Sequence, residues 1–316
     1  MSEDSYEREA RGAYLNGVGG QGLSDEAAGG QEDGLRPRLV TTCLADVEPE
    51  KVTWLWPGFI PYGKFTILEG DPGLGKSTFL AELAARVSRG EALYSGGLLP
   101  RGPQAVGLLS AEDGLADTIA PRLLAAGGDR SLIHSVDGFL DVAHRDRALY
   151  LVDDTAREAL RRWMLKAGAG LLIIDVLVAY LGGSVDSYRD QDVRQVLRPL
   201  AAIAEESGAA IVAVRHLRKT GGARAINSGG GSVGIGGAAR SVILLDRDPT
   251  DDTRLVLASV KSNLGPAPPS LRLRIVHGGE GGAGRVQWEG VTSETAETLT
   301  AAHAYYHWHR RYCYQG

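Results

Sequence analysis

Apolar residues are spread unevenly along this chain, and their spacing changes character twice. Residues 1–38 are rich in Gly, Ser, Gln and acids and show no sustained apolar period, so they bury too little surface to offset the entropy of ordering. A disordered acidic tail is expected there. From Trp54 onward, short aliphatic runs alternate with longer segments whose apolar positions recur every three or four residues, which predicts a mostly parallel twisted sheet flanked by helices. The expected strands are FTILE (65–69), AVGLLS (105–110), SLIHSV (131–136), GLLIID (170–175), AAIVAV (209–214) and SVILL (241–245). The expected helices are Ser77–Arg89, Leu115–Ala126, Asp154–Ala167 and Asp190–Ser207. Ahead of the first strand, Trp54, Leu55, Trp56 and Ile60 are expected to pack on the core. Beyond Asp246, RLVLASVK, SLRLRIV and GRVQWE alternate with period two between Gly and Pro, predicting antiparallel C-terminal strands that extend the sheet. The fold class is thus α/β, with one domain over 39–290 and a short C-terminal tail over 291–316.

Composition narrows the setting. With 316 residues and 43% hydrophobic content the chain can bury a substantial core. Cys43 and Cys313 lie far apart without metal-site spacing, which points to a reducing compartment and away from a disulfide scaffold. The N-terminal MSEDSYEREARG lacks the basic and apolar regions of a signal peptide, and no apolar run approaches the roughly 20 residues that cross a bilayer. A cytoplasmic protein with no membrane segment is expected. The net charge of -5 is concentrated at the N-terminus, where eight acids in residues 1–35 face Arg8 and Arg11, leaving the rest nearly neutral. Ser207 to Leu245 contains no acid but includes Arg215, Arg218, Lys219, Arg224 and Arg240, a stretch able to receive a polyanion.

The most specific chemical signal is Gly70-Asp71-Pro72-Gly73-Leu74-Gly75-Lys76-Ser77, followed by Thr78, which matches G-x-x-x-x-G-K-[ST] between an expected strand and an expected helix. Glycines let the backbone wrap phosphates with N–H groups inward, and the helix N-terminus favours negative charge. In this reading Lys76 reaches the β and γ phosphates of ATP and the Ser77 hydroxyl ligates Mg²⁺. GLLIID ends in Asp175, a carboxylate placed to meet a hydrated Mg²⁺; Val176 follows it, so the Glu of a typical AAA+ site is missing. The acid that activates water is therefore sought in Glu112, at the end of the strand after the phosphate-loop helix, with helix capping by Glu112 or Asp113 as the competing reading. His216 closes AAIVAV, where an imidazole can sense a γ-phosphate. It opens the Gly-rich basic loop from Leu217 to Gly231, read either as a DNA-contacting loop or as a linker. Arg240 and Lys261 are cations beside strands that could act in trans on a neighbouring subunit, or be ordinary surface charge. His303, His307, His309 and Cys313 lack supporting carboxylates and are not read as a metal site.

Taken in order, LEGDPGLGKST, LLSAEDG, LLIID, VRHLRK, GGGSVGIGGAARSV and KSNLGP resemble the RepA-like branch of RecA-fold ATPases in the AAA group, which includes hexameric plasmid replicative helicases. The similarity runs from Trp54 to Val276. It implies a RecA-like P-loop fold, a homo-oligomeric ring, typically a hexamer, ATP hydrolysis at subunit interfaces, and movement along single-stranded DNA in replication. By the same resemblance Lys76 and Ser77 bind phosphate and metal, Glu112 is the catalytic acid/base, Asp175 the metal-associated carboxylate, His216 the phosphate sensor and Arg240 the finger. Val176, Ser228 and Asn263 depart from residues common at those places in related chains. A nucleotide-gated regulatory or recombinase-mediator ATPase that changes assembly state without unwinding is the alternative, and a P-loop kinase is disfavoured because no lid arginines or acceptor pocket are apparent.

Overall fold

In the computed structural model the residues described are 39–94, 96–183, 185–187, 189–217, 233–278 and 282–302. The expected acidic tail (1–38), the basic loop beyond Leu217 (218–232) and the His/Cys-containing terminus (303–316) lie outside them. Residues up to Lys51 form a unit of their own, in which 39–51 carry exposed side chains and a short 3-10 turn, Leu44–Asp46.

The second unit begins with a hairpin of β1 (Trp54–Trp56) and β2 (Ile60–Pro61), and Leu55, Trp56 and Ile60 are buried as expected. Trp56 stacks against Phe59 and meets Trp288 edge-on, with ring centroids 4.3 and 5.8 Å apart. Next comes β3 (Phe65–Gly70), buried at every position, as a strand covered on both faces must be. Helix α1 (Lys76–Arg89) follows, then β4 (Ala105–Ser110), α2 (Ala120–Ala125), β5 (Ile133–Ser135), the small pair β6 (Phe139–Leu140) and β7 (Asp146–Arg147), α3 (Asp154–Ala167) and β8 (Ala169–Asp175). Helix α4 (Asp190–Ser207), β9 (Ala210–His216), α5 (Val233–Ala238), β10 (Ser241–Asp248), β11 (Asp251–Ser262), β12 (Ser270–Val276) and β13 (Arg285–Thr292) complete the order.

Nine strands form one sheet in the order β13-β12-β11-β10-β3-β9-β8-β4-β5. The six from β10 to β5 are parallel, and β11, β12 and β13 extend the sheet antiparallel, as the change in period predicted. Because successive strand residues face opposite ways, each aliphatic run feeds two cores. Leu68, Val212 and Val214 pack with Phe79 and Leu83 of α1 on one face. Ile67, Ile211 and Ala213 pack with residues of α3, α4 and α5 on the other.

The caps follow from local chemistry. Asp153 accepts the free amides of Thr155 and Ala156 at the start of α3, and α1 ends at Gly90, whose φ of 70° suits glycine. The expected helix Leu115–Ala126 is interrupted: Leu115–Ile119 forms a π turn, with the Ile119 amide donating to Gly114 O at 3.0 Å, before α2 begins. Pro121 near the start of α2 has no amide proton to continue the upstream ladder. SVILL proves longer than expected, reaching Asp248, and residues 296–302 of the expected tail are helical, with Ala296 and Leu299 buried against Leu244, Val256 and Ala258. Among the described residues no helix is long and apolar enough to cross a membrane.

Candidate functional site

Strand register brings the candidate residues to one edge. Gly70 at the end of β3 stands opposite His216 at the end of β9, and Ser110 at the end of β4 stands opposite Asp175 at the end of β8. Glu112 follows Ser110 by two residues. Parallel strands present these C-terminal ends together, where ligands bind in open α/β sheets.

The loop after β3 takes its shape from glycine. Gly73 and Gly75 sit at φ of 79° and 86°, in the left-handed region where side chains with a Cβ are strained. Gly75 is the N-cap of α1 and offers no side-chain cap, so the first amides of α1 are left for a ligand. Lys76 is buried, and its Nζ donates to Gly70 O at 2.9 Å and Asp71 O at 2.6 Å, closing the loop on itself. Burial lowers the pKa of the Lys76 ammonium, against the opposing pull of Asp175, Asp71 and Glu112. Ser77 Oγ donates to Asp175 Oδ2 at 2.7 Å. Burial raises the pKa of Asp175, the Ser77 hydrogen bond works the other way, and Asp113 and Glu112 add to the rise.

The loop from Pro72 to Thr78, with Glu112, Asp175 and His216, lines a single cavity of ≈ 710 Å³. Glu112 is exposed to it. Beside Glu112, Asp113 is paired with Arg122 of α2, and the π turn that follows has Gly114 at its cap with no side-chain capping bond, so neither acid caps that turn. His216 Nδ1 is buried and has no hydrogen-bond partner among the described residues. The opposite wall comes from the antiparallel strands: Arg247 of β10, Thr253 and Leu255 of β11, Ile275 of β12 and His277 just after it. These residues and Arg122 were not anticipated. Arg122 sits nine residues after Asp113, beyond any periodic side-chain pairing, so spacing alone carried no signal.

A magnesium nucleoside triphosphate suits this donor set. Free helix amides, a lysine and a glycine-shaped loop match phosphate, the hydroxyl and carboxylate pair of Ser77 and Asp175 matches a hard, oxygen-preferring cation, and the cavity exceeds the phosphates alone.

Two candidates lie elsewhere. The Arg240 amide donates to Phe65 O at 3.0 Å, at the start of β3, so Arg240 is separated from the loop by the strand's length, about 20 Å at ~3.3 Å per residue. Its side chain is exposed. Lys261 lies at the same end, where its Nζ donates to Gly236 O and Ala239 O at 3.0 and 2.8 Å. Neither belongs to the cavity of its own chain. Arg215, counted in the sequence among cations open to a polyanion, must be withdrawn from that surface: it is buried and paired with Glu69. Arg218, Lys219 and Arg224 lie outside the described residues, and among the described residues no cluster of three or more His, Cys, Asp or Glu forms a metal site.

Comparison with known proteins agrees with this architecture. A solved structure of a helicase ATPase domain aligns over 74% of this chain and 92% of its own, with a TM-score of 0.51 and 18% identity, a likeness of fold. No curated protein matches the sequence. The model of the AAA domain family matches residues 31–222, more than half of the chain and the whole stretch from the phosphate loop through His216. The chain, a RecA-like P-loop α/β fold, belongs to the AAA domain family.

Proposed function

We propose that this chain is a cytoplasmic Mg²⁺-dependent ATPase that works as a homo-oligomeric ring, typically a hexamer, on single-stranded DNA as a helicase or replication-associated motor. The reading is carried by one observation: Lys76, Ser77, Glu112, Asp175 and His216, from four different strand ends, line one cavity. Lys76 and the first amides of α1 bind the β and γ phosphates of ATP, and Ser77 with Asp175 holds the cation. Mg²⁺, when bound, neutralises charge on those phosphates. Glu112 orients a water and takes its proton as the water oxygen attacks the γ-phosphorus; the bond to the β–γ bridging oxygen breaks and ADP leaves with the electron pair. His216 donates a hydrogen bond to the γ-phosphate and passes its loss to the loop that begins at Leu217. Arg240, at the far end of the strands, serves a neighbouring subunit.

The test is phosphate release with and without single-stranded DNA. Stimulation that weakens steeply with added salt is expected, since phosphate contacts release counterions. Turnover that ignores every DNA offered removes the motor and leaves a nucleotide-gated switch, which would instead change its assembly state with ATP.

A further inference from the structure

Directly beneath the cavity, the last rung between β3 and β9 before Gly70 and His216 pairs Glu69 with Arg215. Both side chains are within 2% of complete burial, and they form a direct ion pair. Strand alternation puts them on the face of Ile67 and Ala213, under α4 and α5, whereas His216 shares the α1 face with Val214. One carboxylate oxygen of Glu69, Oε2, is buried without a hydrogen-bond partner among the described residues.

Stability does not explain such a pair. Withdrawing two charges from water is costly, and well-packed apolar residues of similar volume commonly do as well or better at such sites. What the pair supplies is register. The remaining residues of β3 and β9 are nearly all small or aliphatic on both faces, so a two-residue slip of one strand along the other would keep every apolar side chain on its proper face. Only Glu69 and Arg215 would notice, since each would be buried without its counter-charge. The next rung is the functional one: Gly70, whose carbonyl holds Lys76, opposite His216.

We infer that Glu69 and Arg215 are positioning residues that lock β3 against β9 so that His216 is held at a fixed place relative to the Lys76 loop. This rests on the hydrolytic reading of the cavity. Neither residue lines that cavity; each acts through the residue that follows it in sequence.

The experiment compares wild type, Lys76→Ala, His216→Ala, the apolar double variant Glu69→Met/Arg215→Met, and that double variant combined with His216→Ala. Thermal melting, ATP affinity and phosphate release are measured on the full chain. The expected result is that the apolar double variant melts no lower than wild type and binds ATP within about threefold, yet turns over on the order of tenfold or more slowly, because small misplacements of reacting groups are costly. Adding His216→Ala to it should then cost little more, since the two changes act through one group. Turnover close to wild type in the apolar double variant, or a His216→Ala loss that multiplies in full, overturns the inference. Should the double variant fail to fold, Glu69→Asp, which keeps the charge and shortens its reach, is read by the same criteria; failure of both to fold makes the pair a stability element and overturns the inference as well. Absence of turnover in wild type, or its persistence in Lys76→Ala, sinks the hydrolytic reading itself and is distinct from a double variant that hydrolyses normally beside an active wild type.

Discussion

Ser77 Oγ donates a 2.7 Å hydrogen bond to Asp175 Oδ2, joining the first turn of α1 to the end of β8 across 98 positions of sequence. The bond sets a hydroxyl and a carboxylate side by side at the only helix N-terminus that opens into the cavity among the described residues. Ser77→Ala removes one of two proposed oxygen ligands for Mg²⁺ and leaves the other. Phosphate release titrated with Mg²⁺ should show a half-saturation point raised on the order of tenfold or more, the equivalent of ~1.5 kcal/mol for a lost bond to a charged group. An unchanged Mg²⁺ requirement would remove Ser77 from the metal's shell.

Asp175 trades stability for its position. Its pKa in the folded chain lies above the ordinary 3.8 because burial penalises the charge. The folded protein therefore binds a proton more readily than the unfolded chain, so the stability linked to this group is complete below 3.8 and is lost as pH rises through the folded value. Asp175→Asn never carries the charge and escapes that loss. Melting curves recorded without Mg²⁺ or nucleotide should place the variant above wild type at neutral pH by roughly 2–4 °C, while its turnover disappears. The gap should widen from about pH 4 upward; a gap that is constant or closes with pH contradicts the assignment of the strain to this carboxylate.

Glu112 is exposed at the cavity and is assigned proton transfer without a share in holding the nucleotide. Glu112→Gln keeps shape and removes the base. Binding of a fluorescent ATP analogue should remain within about twofold, and turnover should fall by roughly 10²–10⁴. Turnover that survives the change would return the role of base to another acid, with Asp113 next in line despite its pairing to Arg122.

How much of this was legible beforehand depends on what each residue needed from its surroundings. The phosphate loop, α1 and the positions of Asp175 and His216 at strand ends could be read locally, since a motif, an aliphatic run and a closing polar residue lie within a dozen positions of one another. The convergence of Glu112, Asp175 and His216 required strand order, which places β8 and β9 between β4 and β3 and is set by long-range packing. Arg122 and Asp113 meet only because a π turn bends the approach to α2. The far wall at Arg247 and His277 was invisible because those strands read only as an extension of the sheet. Arg215 was misjudged for a plainer reason: charge was counted along the sequence, and the partner that buries it, Glu69, is 146 residues away.

Arg240 offers a test of assembly. It is exposed at the opposite end of the sheet from the loop of its own chain. Arg240→Ala should bind ATP as wild type does and yet release phosphate slowly. Mixed with the Lys76→Ala protein, which keeps its arginine but cannot use ATP, it should regain part of its activity by completing mixed interfaces. Mixtures no more active than the sum of their parts would leave Arg240 as surface charge.

The two carbonyls that hold the Lys76 ammonium, Gly70 O and Asp71 O, have a consequence for which molecules can enter. A visitor must outbid the protein's own oxygens for that cation, in a place where losing them uncompensated is expensive. A nucleoside or monophosphate brings too little charge to the far side of the loop to do so, whereas a triphosphate reaches over and replaces both. Selectivity for the energy-rich form then begins with an internal competitor, before any contact to sugar or base is made.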